Sequence, residues 1–234
     1  MNLFCFNIFS FNHLNLMNMK KAICLFAAVL FLSVTTQSFA QLKFGAVAGL
    51  NMASMNGKGV DAMVDQGLST KTTFSFNVGG IAEYSLSDVY GLNSGLILSG
   101  KGLTLEKGDV TNSITPLYLE IPVNAYYKLN VGNYKVHLFA GPYLAFGIGG
   151  KIKTTGTGTP NDKSADIKFG SAADSNLAST DFGLNIGAGI EVSNMLISLQ
   201  YGMGLSNIAA DGKSEDAIKN SVLGLSVAYM FGSK

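Results

Sequence analysis

From Leu42 onward the chain is written in apolar stripes that repeat every second residue, joined by links that alternate short and long. The period of two is that of a strand whose two faces meet different surroundings. One face of the stretch 72–86 reads Phe74, Phe76, Val78, Gly80, Ala82, Tyr84, Leu86. Another, in 115–129, reads Leu117, Leu119, Ile121, Val123, Ala125, Tyr127, Leu129. The pattern recurs from Val136 to Ile148, from Phe182 to Val192, from Ile197 to Leu205 and from Leu223 to Phe231, and none of these positions is charged. The opposite faces carry Glu83, Glu120, Lys128, Lys135, His137, Asp181 and Glu191.

Eight strands are predicted: 42–53, 72–86, 90–101, 115–129, 134–150, 180–193, 196–206 and 221–231. Most reach the 9–11 residues that a tilted strand needs to cross a bilayer. The links at 87–89, 130–133 and 194–195 are tight, whereas 54–71, 102–114, 151–179 and 207–220 are long and polar. Short turns on one side and long loops on the other are the pattern of an antiparallel barrel in an outer membrane. The fold class expected is therefore all-β, an eight-stranded up-and-down transmembrane barrel. Its uncharged face lies in lipid, its termini and turns in the periplasm, and its four long loops outside. Tyr84, Tyr90, Tyr127, Tyr134 and Tyr229 then gather near the periplasmic end, and Phe74, Phe76, Phe146 and Phe182 near the outer end, as two aromatic girdles.

Pro122 and Pro142 fall inside strands, where each removes a ladder donor. Pairing Leu129 with Tyr134 sets Pro122 opposite Gly141 and Pro142 opposite Ile121, so a bulge or weakened pairing is expected at that height. The third strand is the least regular, because Ser94 interrupts Leu92, Leu96 and Leu98.

The segment before Leu42 has a different character. Lys20 and Lys21 precede the apolar run 22–34, and small residues at Ser38 and Ala40 suit a cleavage site. Residues 1–40 are read as a secretory signal peptide, with Met19 as the better start, and residues 41–234 as the barrel domain. Cys5 and Cys24 lie upstream of the cut, so the processed chain offers no thiol, disulfide or cysteine metal ligand. Removing Lys20 and Lys21 leaves 14 lysines against 15 carboxylates, and there is no arginine. No dense cationic face exists for a nucleic acid.

Four motifs in order resemble the PorT-like outer-membrane β-barrel family: Tyr118-Leu119-Glu120-Ile121-Pro122-Val123, Ala140-Gly141-Pro142-Tyr143-Leu144, Asp181-Phe182-Gly183-Leu184 with Gly187-Ala188-Gly189-Ile190-Glu191, and Gln200-Tyr201-Gly202-Met203-Gly204-Leu205 with Asn207-Ile208. The resemblance implies an eight-stranded outer-membrane barrel and no single activity, although one branch of the family takes part in protein secretion. The family usually has arginine where Gln200 stands.

An eight-stranded barrel has a lumen just wide enough for side chains to fill. Lys43, Glu83, Lys128, Lys135 and Glu191 are expected in its periplasmic half, and Glu120, His137 and Gln200 nearer the middle, as a polar plug. A proton or ion path is the functional alternative. Catalysis is not expected, because His137 is the sole histidine after residue 40 and no external loop can supply a histidine base. The glycines at 147, 149 and 150 and at 187 and 189 do not fit a phosphate loop; they make room for bulky neighbours. Asp211, Glu215 and Asp216 do not have the spacing of a calcium loop. No cofactor or metal is expected. The partners expected are outer-membrane lipid and a protein at the external loops, of which 151–179 reads as solvated and mobile. The role is structural or interactive: adhesion, envelope integrity or assistance to secretion. A narrow channel and a secreted lipocalin-like carrier are the rival readings.

Overall fold

The structure is a computed structural model that describes residues 41–156, 163–170, 175–210, 212 and 216–231. The signal-peptide reading of 1–40 lies outside the described residues. So do Asp211 and Glu215.

The strands are β1 (Leu42–Asn56), β2 (Ser69–Lys71), β3 (Thr73–Ser85), β4 (Tyr90–Gly100), β5 (Leu103–Lys107), β6 (Val110–Val131), β7 (Tyr134–Gly156), β8 (Lys163–Asp166), β9 (Thr180–Val192), β10 (Met195–Gly204) and β11 (Lys219–Phe231). One helix, α1, covers Lys58–Asp65. Eight of the strands form a ring. Each of β1, β3, β4, β6, β7, β9, β10 and β11 pairs antiparallel with the next, and β11 returns to β1 from Phe44↔Phe231 to Asn56↔Lys219. Closure leaves no ring strand with a free edge, which hydrocarbon demands because it offers no hydrogen bonds in exchange. The eight-stranded antiparallel barrel expected from the stripes is the fold observed.

The faces divide as the alternation requires. Phe74, Leu50, Ile186 and Leu225 are among the large apolar side chains that point outward, Phe74 being 75% exposed. Glu83, Glu120, Lys128, His137, Asp181 and a set of asparagines are buried inside. A lipocalin-like carrier would have the opposite arrangement. The girdles are level in the register. Tyr90 pairs with Tyr127, Phe44 with Phe231 and Val131 with Tyr134 near the short turns, and Leu144 pairs with Phe182 and Met52 with Phe74 near the long loops.

The register at the prolines differs from the one expected. Gly132, at φ +60°, lets Gly132-Asn133 close a two-residue turn, so Val131 pairs directly with Tyr134. Pro122 therefore faces Tyr143, two residues from the expected partner. An even shift leaves every side chain on its expected face. The β6–β7 ladder lapses between Pro122↔Tyr143 and Ala125↔Ala140, and the β4–β6 ladder lapses between Ser94↔Val123 and Ile97↔Glu120. Ser94 Oγ donates to the Pro122 carbonyl at 2.7 Å and occupies part of the gap. The registered bulge lies elsewhere, between Leu117 and Tyr118, opposite Ile148.

The long links are not plain loops. β6 and β7 continue past the barrel wall, and β2, β5 and β8 join them in the order β2–β5–β6–β7–β8. The inner side of this extension buries Leu103 and Leu105 against Met55, Val60, Ile167, Leu177 and Ile208. An apolar core thus sits over the long-loop end of the barrel and closes it. Apart from Leu103 and Leu105 its members come from separate segments of the chain, and so they make no long stripe in the sequence.

Candidate functional site

Inward positions of β3, β4, β6, β7 and β9 build the lumen, because each second residue of a ring strand points there. Two ion-pair clusters divide it. Near the short turns Lys128 Nζ stands 2.5 Å from Glu83 Oε1 and 3.4 Å from Glu191 Oε2. His137 Nε2 lies 2.5 Å from the same Glu191 oxygen, and its ring stacks on Tyr126 at 5.8 Å between centroids. Lys43 and Lys135 line a cavity of about 80 Å³ here, together with those four groups. Among the described residues neither of these two lysines forms an ion pair, and Lys135 is exposed at the rim. His137 therefore belongs to this lower cluster and does not sit beside Glu120.

Near the long loops Lys101 is the hub. Its Nζ is 2.9 Å from Glu120 Oε2 and 3.0 Å from Asp181 Oδ2, and it lies over the Tyr143 ring at 4.1 Å from the centroid. Asp181, wholly buried, also accepts from Tyr143 Oη at 3.2 Å, Asn220 Nδ2 at 2.8 Å and Ser206 Oγ at 3.0 Å. That many donors are what a carboxylate needs once water is gone. Lys101 and Asp181 were not in the polar plug expected from sequence. Parity could have found both, since Lys101 continues the inward series Asn93, Ile97, Ser99 and Asp181 opens that of β9.

Between the clusters lies a cavity of about 120 Å³, lined by polar side chains that include Asn51, Asn77, Ser99, Glu120, Asn185 and Gln200. Gln200 faces glycine on both sides, Gly187 and Gly224. Asn51 Nδ2 donates to Ser99 Oγ at 3.1 Å and to the Gly100 carbonyl at 3.0 Å, and Asn77 Nδ2 donates to Asn51 Oδ1 at 2.7 Å. Glycines admit the rings that fill the rest. A Cβ on Gly187 would stand 2.3 Å from Phe139, and one on Gly183 would stand 2.5 Å from Tyr143. The lumen is thus a packed, hydrogen-bonded interior with small cavities, closed above by the apolar core and crossed by ion pairs at two levels. Among the described residues no group of acidic, histidine or cysteine side chains could hold a metal ion on its own.

A family model described as an outer membrane protein beta-barrel domain matches residues 36–210. No curated protein matches the chain. Among solved structures it is similar to Ail, the attachment invasion locus protein of Yersinia pestis, at 14% identity and a TM-score of 0.40, over 81% of this chain and 98% of Ail. Neisserial surface protein A is similar at 14% identity and 0.40, over 80% of this chain and 97% of that one. OprG from Pseudomonas aeruginosa is similar at 10% identity and 0.40, over 82% and 95%. The family match extends over most of the ring, from the start of β1 to the segment beyond β10. The chain belongs to the outer membrane protein beta-barrel domain family, and its barrel resides in the outer membrane of a Gram-negative bacterium.

Proposed function

We propose that this protein is an anchored docking platform, in which the barrel holds a rigid polar sheet outside the membrane for a protein partner. The observation that carries the reading is the extension of β6 and β7 beyond the wall, with β5 and β2 on one side and β8 on the other. The extension is braced. Lys71 Nζ is 2.7 Å from Glu106 Oε2, Thr154 Oγ1 donates to Asn112 Oδ1 at 2.6 Å, and Thr104 and Ser113 hydroxyls are 3.1 Å apart. Its inner side is fixed to the apolar core. Among the described residues the outer edges of β2 and β8 have no strand partner, and every residue of both strands is exposed. Free edges of this kind accept an added strand from another chain.

A channel role has little support from a lumen this full. The motifs around Glu120, Pro142, Asp181 and Gly204 support placement in the PorT-like branch, and with it a role beside a secretion machine in preference to a free-standing adhesin. Catalysis is not part of the reading, since the single histidine after residue 40 is engaged with Glu191 deep in the barrel.

Site-specific photocrosslinking in cells tests the proposal. A photoreactive residue at Thr70 or Ser164 is expected to give discrete protein adducts, and one at Leu225 is expected to give lipid adducts. Absence of protein adducts from both edge positions would overturn the docking reading.

A further inference from the structure

We propose that the cavity at the short-turn mouth of the lumen binds one phosphate-class oxyanion, held between Lys43 and Lys135. The cavity of about 80 Å³ equals the liquid volume of roughly two or three water molecules, which suits a single tetrahedral ion and no large ligand.

The ring sets the two lysines against each other. β1 and β7 stand four strands apart whichever way round the wall is followed, so Lys43 and Lys135 come from opposite sides of the mouth. They also share one height. Lys43 pairs with Glu83 and Lys135 with Glu191 in the register, and both of those acids reach the same Lys128 Nζ. Both lysines line the one cavity, Lys43 half-buried and Lys135 exposed, so an ion has access from the rim.

Charge calls for an anion. Lys43, Lys128 and Lys135 line the cavity against two carboxylates, Glu83 and Glu191. Those carboxylates are engaged elsewhere. Glu83 Oε1 holds Lys128, and Glu191 Oε2 holds both Lys128 and His137. The ammonium groups of Lys43 and Lys135 are left without an ion pair among the described residues. A positive excess inside a walled recess raises the local concentration of anions.

The neighbouring turn adds neutral donors. Ser193 and Asn194 join β9 to β10 in a two-residue turn, with Ser193 at φ +56°, and both line the cavity. The Met230 N–H donates to the Asn194 carbonyl at 2.8 Å, which fixes the turn against β11. A hydroxyl and a side-chain amide thus join two ammonium groups in one lining. Lysine binds phosphate as a point charge, and a phosphate group carrying about −1.5 to −2 at neutral pH matches two lysines better than a singly charged carboxylate does.

Phosphorus-31 NMR of inorganic phosphate tests the site on the full chain refolded in dodecyl maltoside, a detergent without phosphorus. The expected result is saturable broadening, displaced by sulfate and not by acetate at equal ionic strength. Lys43→Gln with Lys135→Gln is expected to weaken binding by about tenfold or more. Lys58→Gln with Lys163→Gln removes the same charge at the long-loop end and is expected to leave binding unchanged. Urea unfolding in vesicles separates the two sources of such a group. A midpoint raised by inorganic phosphate in phosphatidylcholine vesicles, and not raised in Lys43→Gln with Lys135→Gln, identifies a soluble phosphate. A midpoint raised in the same variant-dependent way by phosphatidylglycerol, with chloride the sole small anion, identifies a lipid headgroup. Broadening that never saturates, or that the paired change at Lys43 and Lys135 leaves intact, would overturn the proposal.

Discussion

Lys101 and Asp181 meet at 3.0 Å from opposite sides of the lumen, eighty residues apart in sequence, with neither open to water. The contact ties the end of β4 to the start of β9 across the barrel and joins the wall to the closed long-loop end. Removing one partner of such a pair leaves an uncompensated buried charge, which costs roughly 3–5 kcal/mol. Lys101→Met is therefore expected to unfold at clearly lower urea in lipid vesicles. Lys101→Met combined with Glu120→Gln and Asp181→Asn is expected to recover much of the loss. Denaturant titration of the two variants checks this, and equal stability of both would contradict the assignment of Lys101 as hub.

The outward face makes a contrasting prediction. Leu225 pairs with Leu50 and Leu199 halfway along β11, and all three point outward. Leu225→Lys is expected to cost about 2–4 kcal/mol in a bilayer. Its neighbour Ser226 points inward and donates to Asn77 Oδ1 at 3.0 Å, so Ser226→Ala is expected to cost about 1 kcal/mol. Vesicle unfolding of the two variants gives the order directly.

Gly187 and Phe139 share one space inside the wall. Gly187→Ala is expected to destabilise by about 1–3 kcal/mol through overpacking. In Gly187→Ala with Phe139→Leu the penalty is expected to be smaller than the sum of the two single changes. A double-mutant cycle measures that coupling, and simple additivity would show that the ring does not occupy the glycine's space.

Ile208 is wholly buried in the apolar core over the long-loop end. Ile208→Ala is expected to cost about 2–5 kcal/mol. Because the barrel wall below is separately hydrogen-bonded, the loss should appear as faster hydrogen exchange in β5 and the outer part of β6, with β10 and β11 unchanged. Exchange rising equally in all strands would contradict a core that stabilises the extension.

Much of this architecture was legible in the chain because lipid enforces a strict rule. Outward residues of a membrane strand must be apolar, so Phe74, Val78 and Leu225 mark their own faces, and the eight ring strands follow. The rule weakens beyond the bilayer. Leu103 and Leu105 of β5 form a small core there with Ile167 and Ile208, three distant segments in all, and periodicity carries little sign of it. The register at Pro122 is not fixed by the alternation, because a two-residue turn at Gly132-Asn133 and a longer one preserve the same faces. In the lumen, charge alone picked out Glu83, Lys128, His137 and Glu191. The uncharged asparagines Asn51, Asn77, Asn124 and Asn185 carry no such mark, although parity places them inside.

Single-channel recording in planar bilayers tests most directly the claim that this is a sealed anchor. The purified barrel should stay electrically silent across pH and voltage, because ion pairs at two levels and the apolar core close the lumen. Steady, reproducible conductance steps from the unaltered protein would contradict a closed interior and return the barrel to the channels.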